Sequence, residues 1–171
     1  MKPLACAALA LFLISGAARA QAPPAPPTSP TPQEWVQLGT RVHGFFGGFI
    51  PAGIRIGLDA RERLKAEPRG LAVTYWQGAK APCPCIADGI MLGTQASPGQ
   101  GTLTVMPEKA PPGLLAVIVL RNRKTGEALR YTVADEWLPK MLAWNQLAPE
   151  QRLAEAMQAE GLFGVEAEAG K

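Results

Sequence analysis

Three residues stand out for chemistry in this chain of 171 residues: His43, its only histidine, and Cys83 and Cys85, the two cysteines left once the amino-terminal segment holding Cys6 is set aside. Imidazole and thiolate are nitrogen and sulfur donors, the ligand types that suit zinc and leave copper open. Cys83-Pro84-Cys85 admits three readings. As a disulfide it closes a tight ring through one proline, which strains the bond and makes it easy to reduce. As a metal or reactive-thiol site it draws on an expected helix just after Cys85, whose unpaired amides favour a thiolate, with Asp88 three residues on and facing the same way. As a pair of incidental thiols it has no role. Spacing alone does not choose among these, because Cys-x-Cys lacks the specificity of a paired Cys-x-x-Cys zinc motif. His43 lies beside Gly44 and shortly before Gly47 and Gly48, where backbone can approach a ligand closely. A lone histidine near aromatic residues is nevertheless more often a hydrogen-bonded structural residue than a ligand.

The elements that must position these residues are legible from pattern. Apolar residues Ile54, Ile56, Leu58 and Leu64 predict a helix that follows Pro51 and stops before Pro68. Strand formers fill residues 70–76, and a short helix is expected over 86–95, ended by a turn at 97–101. Three more strand-like runs follow at 102–106, 114–120 and 127–133, the last two joined by a hairpin turn at Lys124-Thr125-Gly126. Trp137, Leu138, Met141, Leu142 and Trp144 then recur near a helical period, and Pro149 opens a final helix to Ala159. The expected class is α+β: an α-β-α-β-β-β core in which a small mixed sheet is covered by helices, with extra helices at the carboxyl end.

The ends of the chain read differently. Residues 1–20 have a positive start at Lys2, an apolar run over 4–14 and the small-x-small sequence Ala18-Arg19-Ala20, the marks of a secretory signal peptide. Residues 21–32 hold six prolines and no charge, a composition that reads as a tether. The domain is expected over 33–163, with residues 164–171 as a frayed tail. Localisation is then periplasmic or secreted. Removing Lys2 and Arg19 leaves 15 basic against 14 acidic residues, a formal charge of +1, which argues against nucleic-acid binding. The apolar run is too short for a spanning helix, so no membrane anchor is expected.

Four segments together resemble the E-type subunit family of formylmethanofuran dehydrogenase and its stand-alone relatives. Val42-His43-Gly44-Phe45-Phe46-Gly47-Gly48, with Pro51-Ala52-Gly53 after it, is similar to that family's His-Gly-His-x-Cys-Pro-Gly opening. Cys85-Ile86-Ala87-Asp88-Gly89-Ile90-Met91 is similar to its Cys-x-x-Asp-Ala-Ile-Gln helix. Ser97-Pro98-Gly99-Gln100-Gly101-Thr102-Leu103 resembles its Thr-x-Gly-Lys-Gly-Asn-Leu turn, and Lys124-Thr125-Gly126 its Thr-Gly-Lys hairpin, all in the family's order. The resemblance implies the same α-β-α-β-β-β core and a cleft in which the His segment faces the Cys-x-x-Asp helix, where some relatives bind a metal, commonly zinc. Carried over residue by residue, His43, Cys85 and Asp88 match, while Phe45 stands at the family's second His, Gly47 at its Cys and Gly48 at its Pro. His43 and Cys85 are then two metal ligands, with Cys83 as the third and Asp88 behind it. The oxidation of formylmethanofuran is not carried over, because that enzyme works inside the cell and this chain reads as exported.

The leading functional expectation is an exported module that binds a metal ion or small ligand, with His43, Cys83 and Cys85 lining one cleft and zinc as the expected cofactor. The alternative is a thiol-dependent enzyme with Cys85 as nucleophile or redox group and Asp88 or His43 handling protons. A third class keeps the fold and has no site. The sequence points to no substrate and no oligomeric state.

Overall fold

A computed structural model describes residues 29–169. The expected signal peptide and most of the expected tether lie outside the described residues. The first helix, α1 (Pro32–His43), starts at a capping box in which Thr31 and Glu34 satisfy each other's backbone amides, with Pro32 in the first turn. It ends on Gly44 at φ 87°, a left-handed cap that glycine adopts without steric cost. Helix α2 (Phe49–Arg63) follows the glycine-rich link and is buried along most of its length.

Strand β1 (Leu71–Gln77) alternates as a strand with one buried face should: Leu71, Val73 and Tyr75 point into the core. Helix α3 (Cys85–Thr94) then carries the chain to β2 (Leu103–Val105), which pairs parallel to β1. β3 (Leu114–Asn122) returns antiparallel on the other side of β1, and β4 (Ala128–Ala134) completes the hairpin. At the hairpin turn the Asn122 side chain accepts from the amides of Lys124 and Thr125, and Gly126 takes φ 82°. Among the described residues the mixed sheet has five strands in the order β2-β1-β3-β4-β5, where β5 is Gly164–Ala167. The α+β class and the expected core order are therefore present.

Short helix α4 (Leu138–Ala143), flanked by single 3-10 turns, and helix α5 (Pro149–Gln158) form the carboxyl-terminal layer, in which α5 packs on both α1 and α2. The carboxyl end departs from expectation. Residues 164–171 were expected to fray, yet β5 (Gly164–Ala167) pairs antiparallel with β4, Val165 opposite Tyr131. The cause is the open edge of β4, whose backbone groups need partners. Leu162 is buried and Phe163 stacks edge-on against Tyr131, so the segment is anchored just before it pairs.

Helices α2 and α3 lie against each other on one face of the sheet. Gly53 and Gly57 on α2 meet Gly89 and Gly93 on α3: a methyl group on Gly89 would overlap the Ile50 carbonyl oxygen, and one on Gly53 the Ile86 carbonyl oxygen. Two small residues one turn apart on each helix thus allow backbone-to-backbone contact. Ile54, Ile86 and Ile90 fill the space between this pair and the sheet, all fully buried.

Candidate metal centre

Gly44 ends α1 immediately after His43, which fixes the imidazole at the mouth of the glycine-rich link. From the other side, β1 ends at Gln77, whose side chain donates to the Ala81 carbonyl and folds the following loop back. Gly78 sits where any side chain would strike the Leu114 carbonyl, so this loop is pressed onto the end of β3. Cys83 arrives from that loop, and Cys85 is the first residue of α3, one position earlier than the sequence pattern suggests.

The two segments converge. One donor atom from each of His43, Cys83 and Cys85 lies within 4.8 Å of the others. Cys83 and Cys85 are joined as a disulfide, with Cα atoms 5.3 Å apart. Cys85 is 5% exposed, whereas Cys83 is only half-buried. The disulfide and the metal-ligand readings of Cys83-Pro84-Cys85 are therefore two oxidation states of one place: the sulfurs can ligate only as thiolates.

Asp88 is not a member of this donor group. Its carboxylate accepts a 2.7 Å hydrogen bond from Nδ1 of His43. The carboxylate sits one helical turn beyond Cys85, and the i+3 spacing that puts the two on one face of α3 brings it to the imidazole. With Nδ1 committed as a donor, Nε2 is the nitrogen left with a free lone pair.

Tyr75 is a residue the sequence pattern disguises. It is fully buried among the apolar positions of β1, and its hydroxyl has no hydrogen-bond partner among the described residues. Burial holds the phenol in its protonated form well above the ordinary tyrosine range, and the nearby negative charge of Asp88 adds to that shift. Strand alternation alone classes it with Leu71 and Val73.

The link after His43 is braced by the carboxyl-terminal layer. Arg152, 7% exposed, donates from its three nitrogens to the carbonyls of Phe46, Asn145 and Leu147, and its guanidinium lies 4.8 Å from the centre of the Phe45 ring. The Asn145 side chain accepts from the Gly48 amide at 2.9 Å. Gly47 and Gly48 were expected to leave room for a ligand. They serve packing: a Cβ on Gly48 would overlap the Met141 carbonyl, and one on Gly47 would crowd the Phe45 ring and Asn145.

The sequence match agrees with this architecture. The family described as "FmdE, Molybdenum formylmethanofuran dehydrogenase operon" matches residues 42–166, from just before His43 into β5. The chain belongs to the FmdE family. No curated protein matches it. The FmdE match includes both halves of the donor group, and it also takes in the carboxyl-terminal helices that brace the His43 link. Cys83 lies outside the segments on which the resemblance rests and within the matched residues.

Proposed function

We propose that this chain is an exported metal-binding module of the FmdE family, in which His43, Cys83 and Cys85 hold one zinc ion when the cysteines are reduced. The observation that carries the reading is the approach of one nitrogen and two sulfur donors to within 4.8 Å of one another, from segments far apart in sequence. One nitrogen and two sulfurs suit zinc or copper far better than magnesium or calcium, which want oxygen. Three protein donors leave a fourth position for water or a small ligand, the pattern of sites that act on something rather than merely brace a fold. Asp88 supports the reading from outside the donor set, since a ligating histidine commonly gives its other ring N–H to a carboxylate. Zinc, if bound, would supply Lewis acidity at that fourth position.

Export is part of the proposal and rests on the features of residues 1–20. A disulfide between Cys83 and Cys85 suits an oxidising compartment. Among the described residues no helix is long and apolar enough to cross a membrane.

Zinc titration of the chain from residue 21 onward, against a chromophoric competitor, tests the proposal. The reduced protein should take up one zinc per chain and the oxidised protein none. Cys85→Ser should abolish uptake, and Asp88→Asn should weaken it by about 10–100-fold through loss of imidazole aim. Zinc uptake by the reduced protein that survives Cys85→Ser unchanged would overturn the assignment, as would no uptake at all.

A further inference from the structure

The metal reading uses the two cysteines only as reduced ligands, and the structure holds them as a disulfide. We infer that Cys83 and Cys85 form a dithiol–disulfide exchange couple attacked at Cys83, with a thiol-bearing small molecule or peptide as co-reactant. The inference rests on the same donor group as the metal reading and does not require a bound metal.

Exposure sets the point of attack. Thiol–disulfide exchange needs an incoming thiolate to reach one sulfur while the other departs. The sulfur-bearing residue open to solvent is the half-buried Cys83, while Cys85 is 5% exposed. Cys85, held in the core as the first residue of the ten-residue helix α3, is then the sulfur that departs.

The bonds and electrons balance with a dithiol as co-reactant. Its first thiolate attacks Sγ of Cys83, forming a mixed disulfide. The Cys83–Cys85 bond breaks and its electron pair passes to Sγ of Cys85, which leaves as a thiolate. The second thiolate of the co-reactant then attacks the co-reactant sulfur in the mixed disulfide, closing the co-reactant's own disulfide and releasing Cys83 as a thiolate. Two electrons have moved from the co-reactant to the protein, and the two protons it gave up pass to water or to the new thiolates. The reverse sequence oxidises the protein at the expense of a disulfide.

Exchange also governs the metal site. With His43 already within reach of both sulfurs, reduction frees the two thiolates beside an imidazole that Asp88 keeps aimed, so the same step that reduces the pair completes the donor set.

The test uses glutathione as probe and a chelator to exclude metal. In the reduced single-cysteine proteins, oxidised glutathione should modify Cys83 in Cys85→Ser at least about ten-fold faster than Cys85 in Cys83→Ser, by mass spectrometry of quenched samples. Equal rates, or faster modification of Cys85, would overturn the inference. The unmodified chain supplies a check that needs no variant: started oxidised or reduced in the same glutathione buffer, it should reach the same ratio of disulfide to dithiol. A chain that stays locked in its starting form from both sides also overturns it. Because no metal is present, a chain that exchanges through Cys83 upholds this inference even where zinc titration has rejected the metal reading.

Discussion

Replacing Gly89 with valine should remove about 4 kcal/mol or more of stability and lower the melting temperature by on the order of 10 °C or more. The effect comes from backbone. Besides overlapping the Ile50 carbonyl, a Cβ at this position would lie 2.8 Å from both the Gly53 Cα and the Ile54 amide nitrogen. Neither neighbour is the end of a flexible side chain, so relief requires α2 and α3 to separate. Separation opens the fully buried layer of Ile54, Ile86 and Ile90 to water or to voids. It also moves Cys85, four residues before Gly89 on the same helix, away from His43. Thermal melts of the variant beside Gly99→Ala provide the check. Gly99 is in a surface turn with only Ser97 Oγ near, at 4.0 Å, and that change should stay within about 0.5 kcal/mol. Equal melting temperatures for the two variants would contradict the close helix contact.

Arg152→Leu is expected to cost about 3 kcal/mol or more and to weaken zinc retention although the residue is no ligand. Three carbonyl oxygens, those of Phe46, Asn145 and Leu147, lose their charged donor at once. Leucine keeps much of the apolar volume and supplies no hydrogen bond, so the loss falls on carbonyls left without partners. The Phe46 carbonyl belongs to the link that begins where His43 ends, which ties the stability effect to the site. Arg152→Lys should not restore the wild-type melting temperature, because one ammonium cannot occupy the three directions that the guanidinium fork reaches. A lysine variant with wild-type stability and zinc affinity would show that charge alone matters there.

What the sequence disclosed follows from the range of the forces involved. β1 and β4 were legible because one face of each is buried, which imposes a period of two on residue choice, and β3 because it is an apolar run buried on both faces over 115–118. The helix beside Cys85 was legible to within one residue because a Pro-rich turn precedes a run with helical spacing. The approach of His43 to Cys85 followed from the family resemblance.

The rest depends on partners distant in sequence. β5 has four residues, and its pairing is decided by the free edge of β4 rather than by its own composition. Asp88 was visible as facing the way Cys85 faces, but its bond to His43 needs α1 beside α3, which no local pattern encodes. Arg152 looks like one more charged residue on an amphipathic helix until the carbonyls it meets are known. The glycines of α2 and α3 recur at four-residue spacing on both helices, and only the pairing of the two helices shows why.

The central claim is that His43, Cys83 and Cys85 together hold one metal ion, and X-ray absorption at the zinc edge of the reduced, zinc-loaded chain tests it most directly. The account predicts two sulfur neighbours near 2.3 Å and one imidazole nitrogen near 2.0 Å, with one sulfur lost in Cys83→Ser and the imidazole signature lost in His43→Ala. A spectrum with only nitrogen and oxygen neighbours, unchanged in Cys83→Ser, would contradict it.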